Sequence, residues 1–310
     1  MNKLTKVGLT ALASSLVVSS ASAGELGVSG SWSWSYDDSD GTALENGNPM
    51  SMGDSVTFSG SGETDQGWTA GVSYELDGGN FDDYKLTLDM GDSGSLTFSG
   101  ASVTGSGIHM VNNIIPAADT AVQSMTAATT AYGIARGAGA TGNLGYTITV
   151  GDIKASAEMT KGAGTDRSYG IQYTGVENLT VVAGMGDVNP GNTDGGSEEH
   201  TMGIKYAVGG ATLAYQVTEV DYKAANGADE DAVAVGVSFA VNDDLTVSYG
   251  RQKVDITGQG QEETNSGLGV SYTMGSMSVA AYAGKTENSG GSAAASADEE
   301  GKGLTLSISF

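Results

Sequence analysis

Few residues of this sequence are of the types that perform catalysis or hold a metal. Cysteine is absent, and the two histidines, His109 and His200, are far apart without a His-x-x-x-His or similar spacing. Zinc sites and catalytic triads need several such groups close together. Gly137, Gly139 and Gly142 match the Gly-x-Gly-x-x-Gly spacing of a phosphate-binding loop, but they lead into a predicted strand and not into a helix. We therefore expect no enzyme activity, no bound metal and no cofactor.

The charge balance argues against nucleic-acid binding. Among 310 residues there are 13 Lys and Arg against 37 Asp and Glu, a formal net charge of −24. The densest basic cluster is Arg251-Gln252-Lys253, whereas binding to phosphate backbones needs many clustered bases. Hydrophobic residues reach only 39%, which is low for a soluble domain, while aromatics at 7% are too many for a disordered chain. The composition fits neither of those classes.

Residues 1–23 have the pattern of a secretory signal peptide. Lys3 and Lys6 precede an apolar run over 7–18, and small residues follow up to Ala23. A transmembrane helix would need about 20 continuous apolar residues, and serines interrupt this shorter run. The sequence therefore predicts an exported protein with a leader at 1–23 and a mature domain at 24–310. Without cysteine, an exported chain cannot rely on disulfides.

From residue 24 onward, the dominant period of the sequence is two. In the last segment Leu304, Leu306, Ile308 and Phe310 alternate with serine and threonine, which is typical of a strand between two different environments. Sixteen such strands are predicted, at 25–36, 54–63, 68–77, 83–91, 94–101, 143–150, 152–161, 167–174, 178–187, 199–207, 211–220, 231–240, 244–254, 264–273, 276–285 and 302–310. Their connections alternate between tight turns and longer loops, and the longer loops are at 37–53, 78–82, 102–142, 162–166, 188–198, 221–230, 255–263 and 286–301. This predicts an antiparallel meander.

The two faces of these strands indicate where the protein resides. Serine, threonine and glycine on one face could not form a dry core, because each polar group would need a partner. That face must be wet, so the apolar face meets lipid, and in lipid the sheet has to close on itself. The sequence therefore predicts an all-β fold, a 16-stranded antiparallel transmembrane β-barrel with an aqueous lumen.

Ionisable residues on the wet face are the candidates for function. Alternation with apolar neighbours places six of them in the lumen, since a charge facing lipid is costly. They are Glu75, Lys85, Asp89, Lys154, Glu158 and Lys205. The sequence leaves open whether they only hydrate the wall or take a direct part in conduction.

The features above together resemble one family, the general porins of Gram-negative outer membranes, most closely the alphaproteobacterial type. The signal peptide, the opening segment 25–31, the sixteen alternating segments, the long third loop at 102–142 and the terminal aromatic Phe310 carry this resemblance. It implies passive diffusion of small hydrophilic solutes through a homotrimer, an inward-folded third loop that narrows each pore, and recognition of Phe310 by the barrel-assembly machinery. Outward-parity small residues at Gly60, Ala211, Ala281 and Ala283 are candidates for a subunit contact.

The third loop departs from the family's usual pattern, which sets acids of the loop against a basic cluster on the opposite wall. Its charged or titratable groups are Asp119, His109 and Arg136, so we do not expect a strong field across the constriction. Met110-Val111 and Ile114-Ile115-Pro116 form an apolar patch, which either pins the loop to the wall or narrows the pore with a greasy rim.

The net negative charge predicts modest cation selectivity. The alternative function is a non-conducting surface barrel, an adhesin or structural anchor that displays the acidic loops. No loop except the third exceeds about twenty residues, too few to fold a recognition domain. The acidic segments at 37–38, 229–231 and 298–300 are candidates for divalent cations that bridge to lipopolysaccharide.

Overall fold

The computed structural model describes residues 26–39, 49–100, 106–111, 114–116, 144–161, 165–188, 196–224, 227–294 and 297–310. Sixteen strands form one closed antiparallel barrel in which every strand pairs with its neighbours in sequence. Their bounds are β1 Leu26–Ser39, β2 Met50–Glu63, β3 Thr69–Asp77, β4 Asn80–Asp89, β5 Ser95–Ser99, β6 Leu144–Val150, β7 Ile153–Lys161, β8 Thr165–Val176, β9 Leu179–Val188, β10 Ser197–Val208, β11 Ala211–Tyr222, β12 Glu230–Ala240, β13 Leu245–Ile256, β14 Glu263–Met274, β15 Met277–Glu287 and β16 Glu299–Ser309. The predicted fold class and strand count are confirmed.

The barrel closes where the last strand meets the first. β1 pairs with β16 from Ser31 opposite Ser309 to Ser39 opposite Gly301. Phe310 extends this pairing, because its backbone N–H donates to the Gly30 carbonyl over 2.9 Å and its carbonyl accepts from Gly30 over 2.8 Å. Closure leaves no open sheet edge, as a lipid environment requires.

The two faces of the wall differ as the alternation predicts. On β10, Met202, Ile204 and Tyr206 point outward and are between 43% and 60% exposed, while Thr201, just before Met202, points inward and is 2% exposed. Inward hydroxyls hydrogen-bond across strands, for example Thr201 with Thr218 at 2.9 Å. Cross-strand bonds of this kind satisfy part of the polar face while it lines the lumen.

Turns and loops lie at opposite ends of the barrel. The short-turn end contains the chain's closing residues and tight turns such as the one at Gly275, whose positive φ of 61° suits glycine. The long-loop end contains the other connections. The predicted loop at 78–82 is wrong, because β3 and β4 are joined by only Gly78 and Gly79, with φ of 54° and 82°. Two adjacent positive-φ glycines permit a two-residue hairpin turn there.

Among the described residues, the helical elements are short 3-10 turns, and the one at Gly107–Met110 belongs to the loop between β5 and β6. Within the described ranges, no helix is long and apolar enough to cross a membrane. The predicted signal peptide at 1–23 lies outside the described residues and stays a prediction.

Candidate functional site

The described part of the third loop contacts the inner face of the barrel wall. The Gly107 N–H donates to Ser156 Oγ on β7 over 2.9 Å, and the Ile108 N–H donates to Ser168 Oγ on β8 over 3.0 Å. Gly107 has a φ of 54°, and a Cβ there would collide with Ser168 and Glu158. Only glycine fits this close approach without displacement.

His109 and Glu158, both predicted site residues, are brought together by these contacts. His109 Nδ1 lies 2.8 Å from Glu158 Oε2, and the Glu158 side chain is fully buried. The other carboxylate oxygen, Oε1, has no hydrogen-bond partner in the described part of the chain. Glu158 therefore holds the loop and is not a free charge on the lumen wall. A carboxylate buried to this degree depends strongly on its partner.

Apolar side chains of the loop occupy space beside inward-facing glycines of the wall. We call each such space, left by the absence of a side chain, a glycine notch. Ile108 and Val111 pack on Val182 of β9 as a buried cluster. A Cβ at Gly184 of β9 would lie 2.6 Å from Val111, and one at Gly203 of β10 would lie 2.5 Å from Ile114.

Farther round the wall, Ile115 packs against Ala214 and Ala234, and a Cβ at Gly236 of β12 would lie 2.6 Å from Ile115. Gln216 of β11 adds a polar anchor, because its Oε1 accepts from the Ile114 N–H over 3.2 Å. These contacts support the alternative in which the apolar patch pins the loop to the wall. Sequence reasoning missed the glycine notches, whose signal is inward-parity glycine on nearby strands.

The remaining predicted site residues are dispersed. Glu75 and Lys85 face the lumen from β3 and β4. Asp89 Oδ1 accepts the Gly91 N–H over 2.9 Å, which makes it a turn cap. Lys154 is the second residue of β7, and Lys205 lines a pocket of about 370 Å³ beside the turn at 177–178. Asp119 and Arg136 lie outside the described residues.

Four further acids face the lumen and were not singled out from the sequence, although they share the parity of Glu158. They are Asp166, Glu199, Glu230 and Glu263, all at most 4% exposed and all toward the long-loop ends of their strands. The lumen bases Lys85, Lys154 and Lys205 lie instead in the half nearer the short turns. In the described strands, the lumen is thus acidic at one end and contains its bases at the other.

No cluster of three or more potential metal ligands exists among the described residues. His200 has outward parity on β10 and lines an outer-face groove, on the other side of the wall from His109. The two histidines therefore do not converge on one site.

A sequence model described as Gram-negative porin matches residues 8–291. The chain belongs to the Gram-negative porin family. No curated protein matches the porin. Family and fold are those of an outer-membrane diffusion pore, so the porin is an outer-membrane protein.

Solved structures share this fold at low identity. A porin refined at 1.8 Å resolution is 18% identical, with a TM-score of 0.69 over 92% of this chain and 100% of that one. OmpT, an outer membrane protein of Vibrio cholerae in its trimer form, is 14% identical, with a TM-score of 0.65 over 93% and 100% of the two chains. A triple mutant of the Rhodopseudomonas blastica porin is 12% identical, with a TM-score of 0.66 over 92% and 100%.

Ion pairs lie on the outer rim of the porin at the long-loop end. Lys223, just beyond β11, lies 3.0 Å from Glu198 of β10 and 3.0 Å from Asp187 of β9. Hydrogen bonding to Glu198 and Asp187 raises the pKa of the Lys223 ammonium above its ordinary value. On the opposite side, Lys302 lies 3.4 Å from Asp38.

Proposed function

We propose that this porin conducts ions and small hydrophilic solutes by passive diffusion, with modest cation selectivity and with its long-loop end facing outward. The buried acids of the lumen wall other than Glu158, namely Asp166, Glu199, Glu230 and Glu263, are the observation that supports this selectivity. They lie toward the proposed entrance, where a low-dielectric wall strengthens their field. Lys85, Lys154 and Lys205 lie beyond them and oppose the passage of cations only in the inner half.

We further propose that the third loop narrows the lumen. Its described residues at 106–111 and 114–116 already cross the inner faces of β7 to β12. We propose that Asp119 and Arg136 of the continuing loop lie near the constriction, and both are outside the described residues. We propose no catalytic role for His109, because its partner Glu158 holds the loop.

We propose that the porin assembles as a homotrimer. We also propose that the barrel-assembly machinery recognises Phe310, which is 75% exposed at the end of the chain. The OmpT neighbour is described as a trimer. Gly60 of β2 and Ala281 and Ala283 of β15 lie in the sector β15-β16-β1-β2 and suit a subunit contact, whereas Ala211 of β11 lies far from them around the barrel. Lipopolysaccharide, bridged to the acidic loops by divalent cations, is the proposed lipid partner.

Planar-bilayer recording tests the pore and its selectivity together. With a gradient of potassium chloride near 0.1 M, where the Debye length is about 10 Å, we expect discrete channels and a reversal potential of the cation-selective sign. The preference should weaken near 1 M salt, where the Debye length is about 3 Å. Anion selectivity at low salt would contradict the charge argument. Absence of conductance would contradict the proposed pore and favour the alternative, a non-conducting surface barrel.

A further inference from the structure

Two apolar grooves lie on the outer face of the barrel. The first has a volume of about 430 Å³, and outward side chains of β10 to β13 line it, among them Ile204, Tyr206, Leu213, Tyr215, Val235 and Tyr249. The second, of about 340 Å³, lies on β8 to β10 and includes Tyr169, Ile171, Met185 and Met202. Small residues at Ala214 and Gly236, and at Gly170 and Gly184, form parts of their floors. Both are grooves in a surface that faces lipid.

An arginine stands beside each groove on the side of the long loops. Arg251 is two residues after Tyr249 on the same face of β13, and Arg167 is two residues before Tyr169 on the same face of β8. β13 runs toward the long loops and β8 runs away from them, so both arginines are displaced in the same direction. The chain has only one other arginine, Arg136.

Arg251 differs from the lysines of the outer rim in having no partner. Within the described ranges it forms no ion pair or hydrogen bond. Lys223, Lys253, Lys285 and Lys302 each contact at least one carboxylate.

The cross-strand neighbours of Arg251 do not supply an anion. They are Val235 on β12 and Ser266 on β14, and neither is acidic. Arg251 lies on the outward face of β13, where an unpaired charge beside lipid is costly. An anion from outside the barrel would therefore stabilise the Arg251 guanidinium.

We propose that the groove of β10 to β13 binds an acyl chain of a phosphate-bearing, multi-chain lipid of the outer leaflet, while the Arg251 guanidinium binds the lipid phosphate. A guanidinium presents a planar fork that binds phosphate through two hydrogen bonds. The aromatic and aliphatic side chains below it supply the apolar surface that the chain covers. The inference rests on the proposed orientation, with the long-loop end outward.

The second groove repeats the arrangement with a weaker anion site. Arg167 lies directly across from Asp187 on β9, and that carboxylate competes with a phosphate for the guanidinium. Lipid is the occupant we expect in both places rather than a second copy of the chain, because the proposed subunit contact lies in the sector β15-β16-β1-β2.

The test measures lipid binding to the detergent-solubilised full-length porin by native mass spectrometry. Bisphosphorylated lipid A is compared with the same lipid after dephosphorylation. We expect the phosphorylated form to bind more tightly and Arg251→Gln to weaken it about tenfold, the ratio for loss of one charge-assisted contact. Lys302→Gln removes a rim charge whose partner is Asp38 and should change binding less than about twofold. Val235→Trp fills the groove and should weaken both lipid forms.

Several outcomes would overturn the inference. They are equal binding of the two lipid forms, wild-type binding by Arg251→Gln, and cross-linking of a second porin copy to position 235 in native membranes. Channel recording on the same preparations separates the two proposals. Conductance without selective lipid binding overturns only the lipid site, and lipid binding without conductance overturns only the pore.

Discussion

The inner face of β10 and the inner face of β2 have the same alternating sequence pattern but different surroundings. The inward residues of β10 from Ser197 to Gly203 are buried, whereas those of β2, such as Ser51 and Ser59, are exposed or half-buried. We call the inner faces of β7 to β14 the covered wall and those of β1 to β4 the open wall. The described residues of the third loop contact β7 to β12 of the covered wall, so we expect solutes to pass along the open wall.

The two walls satisfy their polar groups differently. On the open wall, Ser35 and Ser51 hydrogen-bond to each other at 2.6 Å and remain accessible. On the covered wall, Ser168 instead accepts a backbone N–H of the loop and is completely buried. Loss of a partner should therefore cost more on the covered wall, since water can replace a partner only on the open wall.

The largest expected effect comes from filling a glycine notch. Gly203→Leu on the covered wall should displace Ile114 and release the loop, and overpacking of this kind costs about 1–3 kcal/mol. Single-channel recordings should then show larger and noisier conductance, and thermal unfolding should begin at a lower temperature. Gly71→Leu on β3 is the matched control, because the nearest atom to its Cβ is 4.0 Å away. Equal behaviour of the two variants would show that the notch does not position the loop.

Removal of the buried carboxylate should have the next largest effect. Glu158→Ala leaves His109 without its partner, and loss of a hydrogen bond to a charged group costs about 1.5–3 kcal/mol. We expect lower thermal stability and more frequent current fluctuations. Glu75→Ala, on the open wall, should shift the reversal potential slightly while the unfolding temperature stays near that of the wild type. A similar loss of stability in both variants would contradict the distinction between the two walls.

The sequence predicts the barrel far better than it predicts this distinction. Period-two alternation is local, so strand count and the face of Glu158 follow directly from the residues. The partner of Glu158 lies 49 residues away in a loop, and its position depends on barrel closure. Likewise, inward parity identifies Gly184, Gly203 and Gly236 as lumen residues, but only the path of the loop turns them into notches.

A charge reversal on the open wall should affect selectivity without affecting stability. Lys85→Glu places an acid on β4 beside the proposed conduction path, so cation preference should rise in low-salt reversal potentials. Lys223→Glu makes the same charge change on the outer rim, away from the lumen. We expect the shift from Lys85 to be the larger of the two, and to shrink as salt increases. An equal shift from both positions would mean that only total charge matters and that solutes do not pass beside the open wall.

The smallest expected effect concerns the outer rim above the covered wall, where Lys223 joins β9, β10 and β11 through Asp187 and Glu198. Hydrogen bonding to these carboxylates raises the pKa of Lys223 in the folded porin. A raised pKa stabilises the fold fully below the unfolded value of about 10.4, and the contribution disappears as pH rises through the folded value. Lys223 is partly exposed, so Lys223→Met should cost at most about 1 kcal/mol at pH 8. The difference in unfolding temperature from the wild type should narrow toward pH 11.

Lys302→Met, which breaks a single longer contact at 3.4 Å between β16 and β1, should cost less at pH 8. If Lys223→Met were as stable as the wild type at pH 8, or if its deficit persisted unchanged at pH 11, the rim pairs would contribute nothing through charge. The contacts of the third loop, and not the rim ion pairs, would then stabilise the covered wall.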